Sequence, residues 1–228
     1  MRAAAQCGIL VSMREITQQT IVERFSAAVD AALRRVDAET VAQLKTALQN
    51  ETNEHARFAL QTILENDAYC EKTAAYPCQD TGLAVVFADV GEDVCCRGLR
   101  EAVDAAIRIA YKTARKSAAD PLSRSNTGDN TPAVLHVRLV KGDKLTLHFL
   151  AKGAGSENMS RMYMLPPSRG RAGIVESVVD CVKIAGANPC PPIVLGVGVG
   201  GNFELAALLS KRALIEPIDN RPAPDLER

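Results

Sequence analysis

Apolar positions recur every three or four residues through the first third of the chain, then give way to continuous runs and alternations. Residues 16–72 are rich in Ala, Leu, Glu and Gln and nearly free of Gly and Pro. Ile21, Phe25, Val29 and Leu33 fall on one face at helical spacing. Two or three helices are predicted there, with breaks near Asp37 and Glu51. LAVVFADV (83–90) is an apolar run closed by Gly91, the pattern of a strand, and residues 99–116 return to helical amphipathicity. The polar stretch 120–132 is too rich in turn formers to be regular. AVLHVRLV and KLTLHFLA alternate on either side of Gly142 and Asp143, which predicts a β-hairpin. Residues 172–187 read as a helix stopped at Gly186. After the break NPCPP, residues 193–197 read as a short strand and 203–214 as a further helix. The Pro-rich tail EPIDNRPAPDLER reads as extended chain.

These elements make an α+β fold: a helical N-terminal half, a mixed, largely antiparallel sheet, and cysteine-bearing loops at one edge. No internal repeat or linker divides it, so residues 13–228 are expected to form a single domain. Met13 resembles an alternative start, which makes residues 1–12 a dispensable extension.

Composition narrows the function classes. Hydrophobic residues make up 47% of the 228, enough for a substantial core. Lys+Arg and Asp+Glu are equal at 27 each, which disfavours a general electrostatic grip on nucleic acid or anionic membrane. Trp is absent and aromatics are only 4%, so platforms for stacking bases are poorly supplied. No apolar run has the length of a membrane span. Seven cysteines, an odd number at irregular spacing, do not form a disulfide framework and suit a reducing cytoplasm.

Chemistry gathers in the loops. CQDTG (78–82) follows Pro77 and sets a thiol beside an amide, a carboxylate and a hydroxyl. NTGDN (126–130) and KGAGSEN (152–158) are two more polar, glycine-bearing loops, and Cys190 sits between prolines in NPCPP. Cys7, Cys70, Cys95, Cys96 and Cys181 read as small buried hydrophobes. Cys181 lies in a core-like setting beside Val179 and Val182. Cys78 and Cys190 have loop contexts that suit a ligand or a nucleophile equally with a plain turn. His55, His136 and His148 have no motif around them and read as structural or surface residues. GVGVGG (196–201) fits G-x-G-x-x-G between a strand and a helix, with Asp219 about twenty residues on. A dinucleotide fold needs further βα units, however, and nine residues follow Asp219. Anion attraction by the helix N-terminus, or close strand–helix packing, accounts for the turn more simply.

Taken together, CQDTG, NTGDNTPA, KGAGSEN and PCPPIVLGVGVGGNFELAALLSKRAL resemble the alpha part of the class I fumarase and L-tartrate dehydratase family of iron–sulfur hydro-lyases, over about residues 13–226. The resemblance implies a 4Fe-4S cluster held by three cysteines, with Cys78 and Cys190 at two of the ligand positions. It implies that Gln79 and Asp80 contact substrate, with Asp80 an acid/base or an orienting group. Arg115, in ARKSAADPL, would clamp a substrate carboxylate, and Gly153 and Gly155 would approach substrate through their backbone. The implied reaction is hydration or dehydration of a small C4 dicarboxylate, fumarate/malate first and L-tartrate second. The family's third cluster cysteine lies in a C-terminal stretch beyond the KRAL helix, and no cysteine follows Cys190. A chain without that segment is therefore expected, and a non-catalytic remnant of the same fold is the rival reading. The resemblance also implies a beta subunit or domain that supplies further cations and the proton-abstracting residue, in a dimer of heterodimers.

Overall fold

The computed structural model describes residues 13–218. A two-residue strand, β1 (Arg14–Glu15), leads into three helices: α1 (Gln18–Leu33), α2 (Ala38–Asn50) and α3 (Glu54–Thr73). Each starts where a short polar side chain accepts from an otherwise orphaned N–H of the first turn. Thr17 caps α1, Asp37 caps α2 and Asn53 caps α3. The predicted breaks near Asp37 and Glu51 thus coincide with capping sites.

Next come β2 (Leu83–Gly91), β3 (Val94–Cys95), which pairs with β1, α4 (Leu99–Ala110), β4 (Val134–Val140) and β5 (Leu145–Lys152). The core forms where Ile21, Phe25, Val29 and Leu33 of α1 meet Ala102, Val103, Ala106 and Ile107 of α4, over Ala84 and Val86 of β2. The alanines on α4 let backbones approach closely, and burial of each large side chain contributes about 1.5–3 kcal/mol. α4 ends at Ala110, short of the predicted 116. Beyond it the backbone bonds to other loops instead of to its own helix: Arg115 O accepts from Thr81 Oγ1, and Lys116 O accepts from Asn126 Nδ2 at 2.8 Å.

The predicted hairpin is replaced by a different pairing. The strand order is β4-β2-β5, with β2 parallel to β4 and antiparallel to β5, so β4 and β5 flank β2 and do not pair with each other. β2 is apolar along nearly all its length and buried on both faces, which suits the central position. β4 and β5 alternate and are partly exposed, as flanking strands should be. The sheet is mixed, with helices dominating the N-terminal half.

The order has a consequence for the loops. β2 and β4 run in the same direction, so the loops preceding both lie at one end of the sheet. β5 runs the other way, with Lys152 opposite Leu83, so the loop that follows it reaches the same end. CQDTG, NTGDN and KGAGSEN are thereby brought together.

The rest of the chain comprises a one-turn helix, α5 (Ala154–Glu157), then α6 (Gly170–Ala185) and α7 (Phe203–Ala213). Gly186 ends α6 as predicted. Residues 193–197 are not a strand and run without a β partner. They lie along α7 instead: a β-carbon on Gly196 would stand 2.0 Å from Ser210 O, and one on Gly198 would stand 2.1 Å from Ala206 O. Cys181 is half-buried, and its neighbours Val179 and Val182 are exposed, so the core setting expected for it is not found. Among the described residues, no helix is long and apolar enough to cross a membrane. Residues 1–12, with Cys7, and residues 219–228, with Asp219 and most of the predicted extended tail, lie outside the described residues.

Candidate active site

The first loop is held by its own polar groups. Asp80 N donates to Cys78 Sγ at 3.4 Å, which curls the backbone around an exposed thiol, and the thiol faces Gln79 Oε1 at 3.7 Å. The Asp80 carboxylate accepts three hydrogen bonds. Oδ1 takes Gly82 N and Ser117 Oγ, each at 3.1 Å, and Oδ2 takes Ala154 N at 2.9 Å. One side chain therefore joins the first loop to the segment after α4 and to the glycine loop. Gly82 has φ +73°, and a β-carbon there would strike the Lys152 backbone at 2.7 Å, so glycine is required on both counts.

A buried residue from NTGDN completes this frame. Asn130 Oδ1 accepts from Ser117 N at 2.8 Å and Ala118 N at 2.9 Å, and its Nδ2 donates to Gly82 O at 3.1 Å. Tyr111, at the end of α4, donates to Thr81 O at 2.8 Å. Burial, with the nearby Asp80 charge adding to it, raises the Tyr111 pKa and keeps its phenol a donor. Thr81 donates to Arg115 O, which ties the Arg115 backbone to the first loop. The Arg115 side chain is exposed and has no hydrogen-bond partner among the described residues. Neither Asn130 nor Tyr111 stands out in the sequence. An asparagine in a polar loop looks the same whether it is solvated or buried.

The glycine loop carries a small ionic group. Lys152 Nζ donates to Ser156 Oγ at 2.6 Å and lies 3.3 Å from Glu157 Oε2, and Lys211 of α7 pairs with the same carboxylate oxygen. Burial lowers the Lys152 pKa. In Glu157, burial acts to raise the pKa, but the Lys211 hydrogen bond and both lysine charges outweigh it and the pKa falls. Gly153 lies beside Asp80: a β-carbon there would be 3.3 Å from Oδ2. Gly155 approaches the last loop, where its β-carbon would be 3.5 Å from Asn188 O, two residues before Cys190. Cys190 is exposed and has φ +59°, an uncommon conformation for a residue with a side chain. Hydrogen bonds thus join the Cys78 loop to Asp80 and the glycine loop, and Gly155 of that loop lies close to Asn188.

A cluster needs thiolates, and Cys78 and Cys190 are two exposed free thiols of the right chemistry. They meet the donor type but not the number. Among the described residues, no three His, Cys, Asp or Glu side chains are grouped to hold a metal ion. Cys70 is buried, and Cys95 and Cys96 are half-buried. His136 stacks on Phe87 at 5.0 Å, His148 Nε2 lies 3.8 Å from Asp89 Oδ2, and His55 is exposed on α3. Gly196 and Gly198 serve the contact with α7, the packing role that competed with dinucleotide binding. An open cleft of about 1140 Å³ runs beside the site and has Lys152, Gly153 and Lys211 in its wall, with apolar residues such as Met162, Val178 and Ile193.

Comparison with known proteins identifies the frame. The chain is 35% identical over 190 residues to a Methanocaldococcus jannaschii protein provisionally named L(+)-tartrate dehydratase subunit alpha, a match covering 78% of this chain and 66% of that protein. It is 30% identical over 210 residues to the L(+)-tartrate dehydratase subunit alpha of Escherichia coli K12, covering 88% of this chain and 68% of the relative. The chain thus spans about two thirds of the length of these curated relatives. Residues 22–228 match the fumarate hydratase (Fumerase) family, and the chain belongs to that family.

Proposed function

We propose that the chain is the alpha component of a hydro-lyase that reversibly removes water from a C4 dicarboxylate, with Cys78 and Cys190 as two thiolate ligands of a 4Fe-4S cluster. One observation supports the reading in a chain of this family: the Asp80 carboxylate ties the Cys78 loop to the glycine loop, and Gly155 of the glycine loop lies close to Asn188, two residues before Cys190. The remaining coordination comes from outside the described residues. When bound, the cluster supplies a Lewis acid for the substrate oxygens.

Arg115 and Gln79 bind and orient the substrate. A guanidinium fork matches a carboxylate in two parallel hydrogen bonds, and the Arg115 side chain is exposed and unengaged among the described residues. The backbone of Gly153 and Gly155 lets the substrate approach where a β-carbon would intrude. Asp80 acts as the orienter. Three of its roughly four lone-pair sites already accept from the frame, which fixes the carboxylate between the loops and suits an orienting role. The C–H beside a carboxylate is weakly acidic, and its loss develops further negative charge that cations must balance. A beta subunit supplies the base and the remaining cations, and the relatives named as alpha subunits support such a partner. The assembly is a dimer of heterodimers in the cytoplasm. Fumarate/malate and L-tartrate both fit this chemistry, and the relatives' names favour L-tartrate.

The test is anaerobic reconstitution of the chain, co-expressed with a beta subunit, using iron and sulfide. A brown, oxygen-sensitive complex that dehydrates L-tartrate or hydrates fumarate is expected. Cys78→Ser and Cys190→Ser should each lose the brown absorbance and the activity together. A wild-type complex that stays colourless and inactive on both substrates defeats the proposal.

A further inference from the structure

Glu157 stands where the glycine loop and α7 meet. Its Oε2 lies 3.3 Å from Lys152 Nζ and accepts a hydrogen bond from Lys211 Nζ. Lys152 ends β5 and Lys211 lies on α7, so a single carboxylate ties the start and end of KGAGSEN to a helix more than fifty residues further along the chain. Ser156 closes the loop from inside: it accepts from Lys152 Nζ at 2.6 Å and donates to Gly153 O at 3.1 Å. Between these ties lie Gly153, Ala154, whose N–H holds Asp80 Oδ2, and Gly155, which faces the Cys190 loop.

Both ammonium groups are largely out of solvent, with side-chain exposures of 11% for Lys152 and 19% for Lys211. Water therefore screens them poorly from each other. Glu157 is the carboxylate that bridges the two. Without its charge, two sheltered cations face each other across the loop, and the repulsion falls on the segment between them.

We infer that Glu157 is a positioning residue for the hydro-lyase reaction: by bridging Lys152 and Lys211 and screening each from the other, it holds the 153–155 backbone in the shape that receives substrate and seats Asp80. This rests on the hydro-lyase reading. Glu157 itself touches no reacting atom, so its loss weakens binding of the ground and transition states alike.

The test uses the reconstituted complex and reads KM, kcat and the hydrogen-exchange rate of the Ala154 amide. Glu157→Gln is expected to raise KM about tenfold, to leave kcat within about threefold, and to speed Ala154 exchange about tenfold, as fits the loss of one charged hydrogen bond. Adding Lys211→Met to that variant removes the repulsion and should restore most of both effects, which loss of packing alone would not do. Wild-type KM and exchange in Glu157→Gln overturn the inference, as does a double variant no better than the single one. If Glu157→Gln does not fold, the double variant decides: a Glu157→Gln, Lys211→Met protein that folds with near wild-type KM and Ala154 exchange supports the inference, and one that fails to fold like the single variant overturns it. A wild-type complex inactive on every dicarboxylate defeats the hydro-lyase reading separately, and Ala154 exchange in the variants then decides the clasp.

Discussion

Asn130 shows how much one side chain can hold. It is 1% exposed and satisfies two backbone donors and one acceptor from two different loops. Its own backbone sits at φ +62°, where asparagine is tolerated better than most residues. Asn130→Ala would leave those buried groups unpaired and place a β-branch-free but still hindered residue at positive φ. A loss of about 3 kcal/mol in urea unfolding is expected, and Asn130→Gly should recover about 1 kcal/mol of it by removing the backbone strain. Equal losses in the two variants would show that φ contributes nothing. Asp80 is built on the same principle, except that its three bonds also set the spacing between the loops. Its sequence context marked it as part of a site, but the pattern of its partners could come only from loops that are distant in the chain.

At the scale of elements, the N-terminal helices were legible because their determinants are local. A buried stripe at i, i+4 and i+8 and a capping side chain are both written in consecutive residues. The predicted hairpin does not form: alternation identifies a strand but not its neighbour. Gly142 and Asp143 supply a turn between β4 and β5, yet the doubly buried β2 takes the place between them. The glycine turn packs on a helix as one of its alternatives expects, with Gly196 and Gly198 against the α7 backbone, but the segment before it is not a strand. Gly198→Ala puts a methyl 2.1 Å from Ala206 O, and neither backbone can yield cheaply. It should destabilise the chain by about 2 kcal/mol or more in denaturant unfolding, chiefly by displacing α7. Unchanged stability would mean that the 196–201 segment does not pack on the helix.

For the whole molecule, charge joins the C-terminal helix to the sheet. Asp89 of β2 accepts from Arg212 of α7 at 2.9 and 3.1 Å and from Arg138 of β4 at 3.1 Å, and Arg212 also covers the Phe87 ring. The Arg212 hydrogen bond outweighs burial and, with Arg138, holds the Asp89 carboxyl down to about 2. A depressed carboxyl pKa stabilises the fold above the ordinary carboxylate value, and that contribution is lost as pH falls through about 2. Stability measured from pH 5 down to pH 2 should therefore fall less steeply in Asp89→Asn than in the wild type. At neutral pH the variant should be about 2 kcal/mol less stable, because Arg212 loses its half-buried partner. Parallel pH profiles for the two proteins would rule out this linkage. The amino-acid sequence by itself determined α1 to α3, the start of α4, α6, α7, the strands β2, β4 and β5, the polar loops and the family, all of which rest on neighbouring residues or on contiguous motifs. Only the tertiary structure decided that β2 separates β4 from β5, that three polar loops share one end of the sheet, and that Glu157 faces two lysines. Those facts depend on which distant surfaces bury one another, and burial is a property of the folded chain.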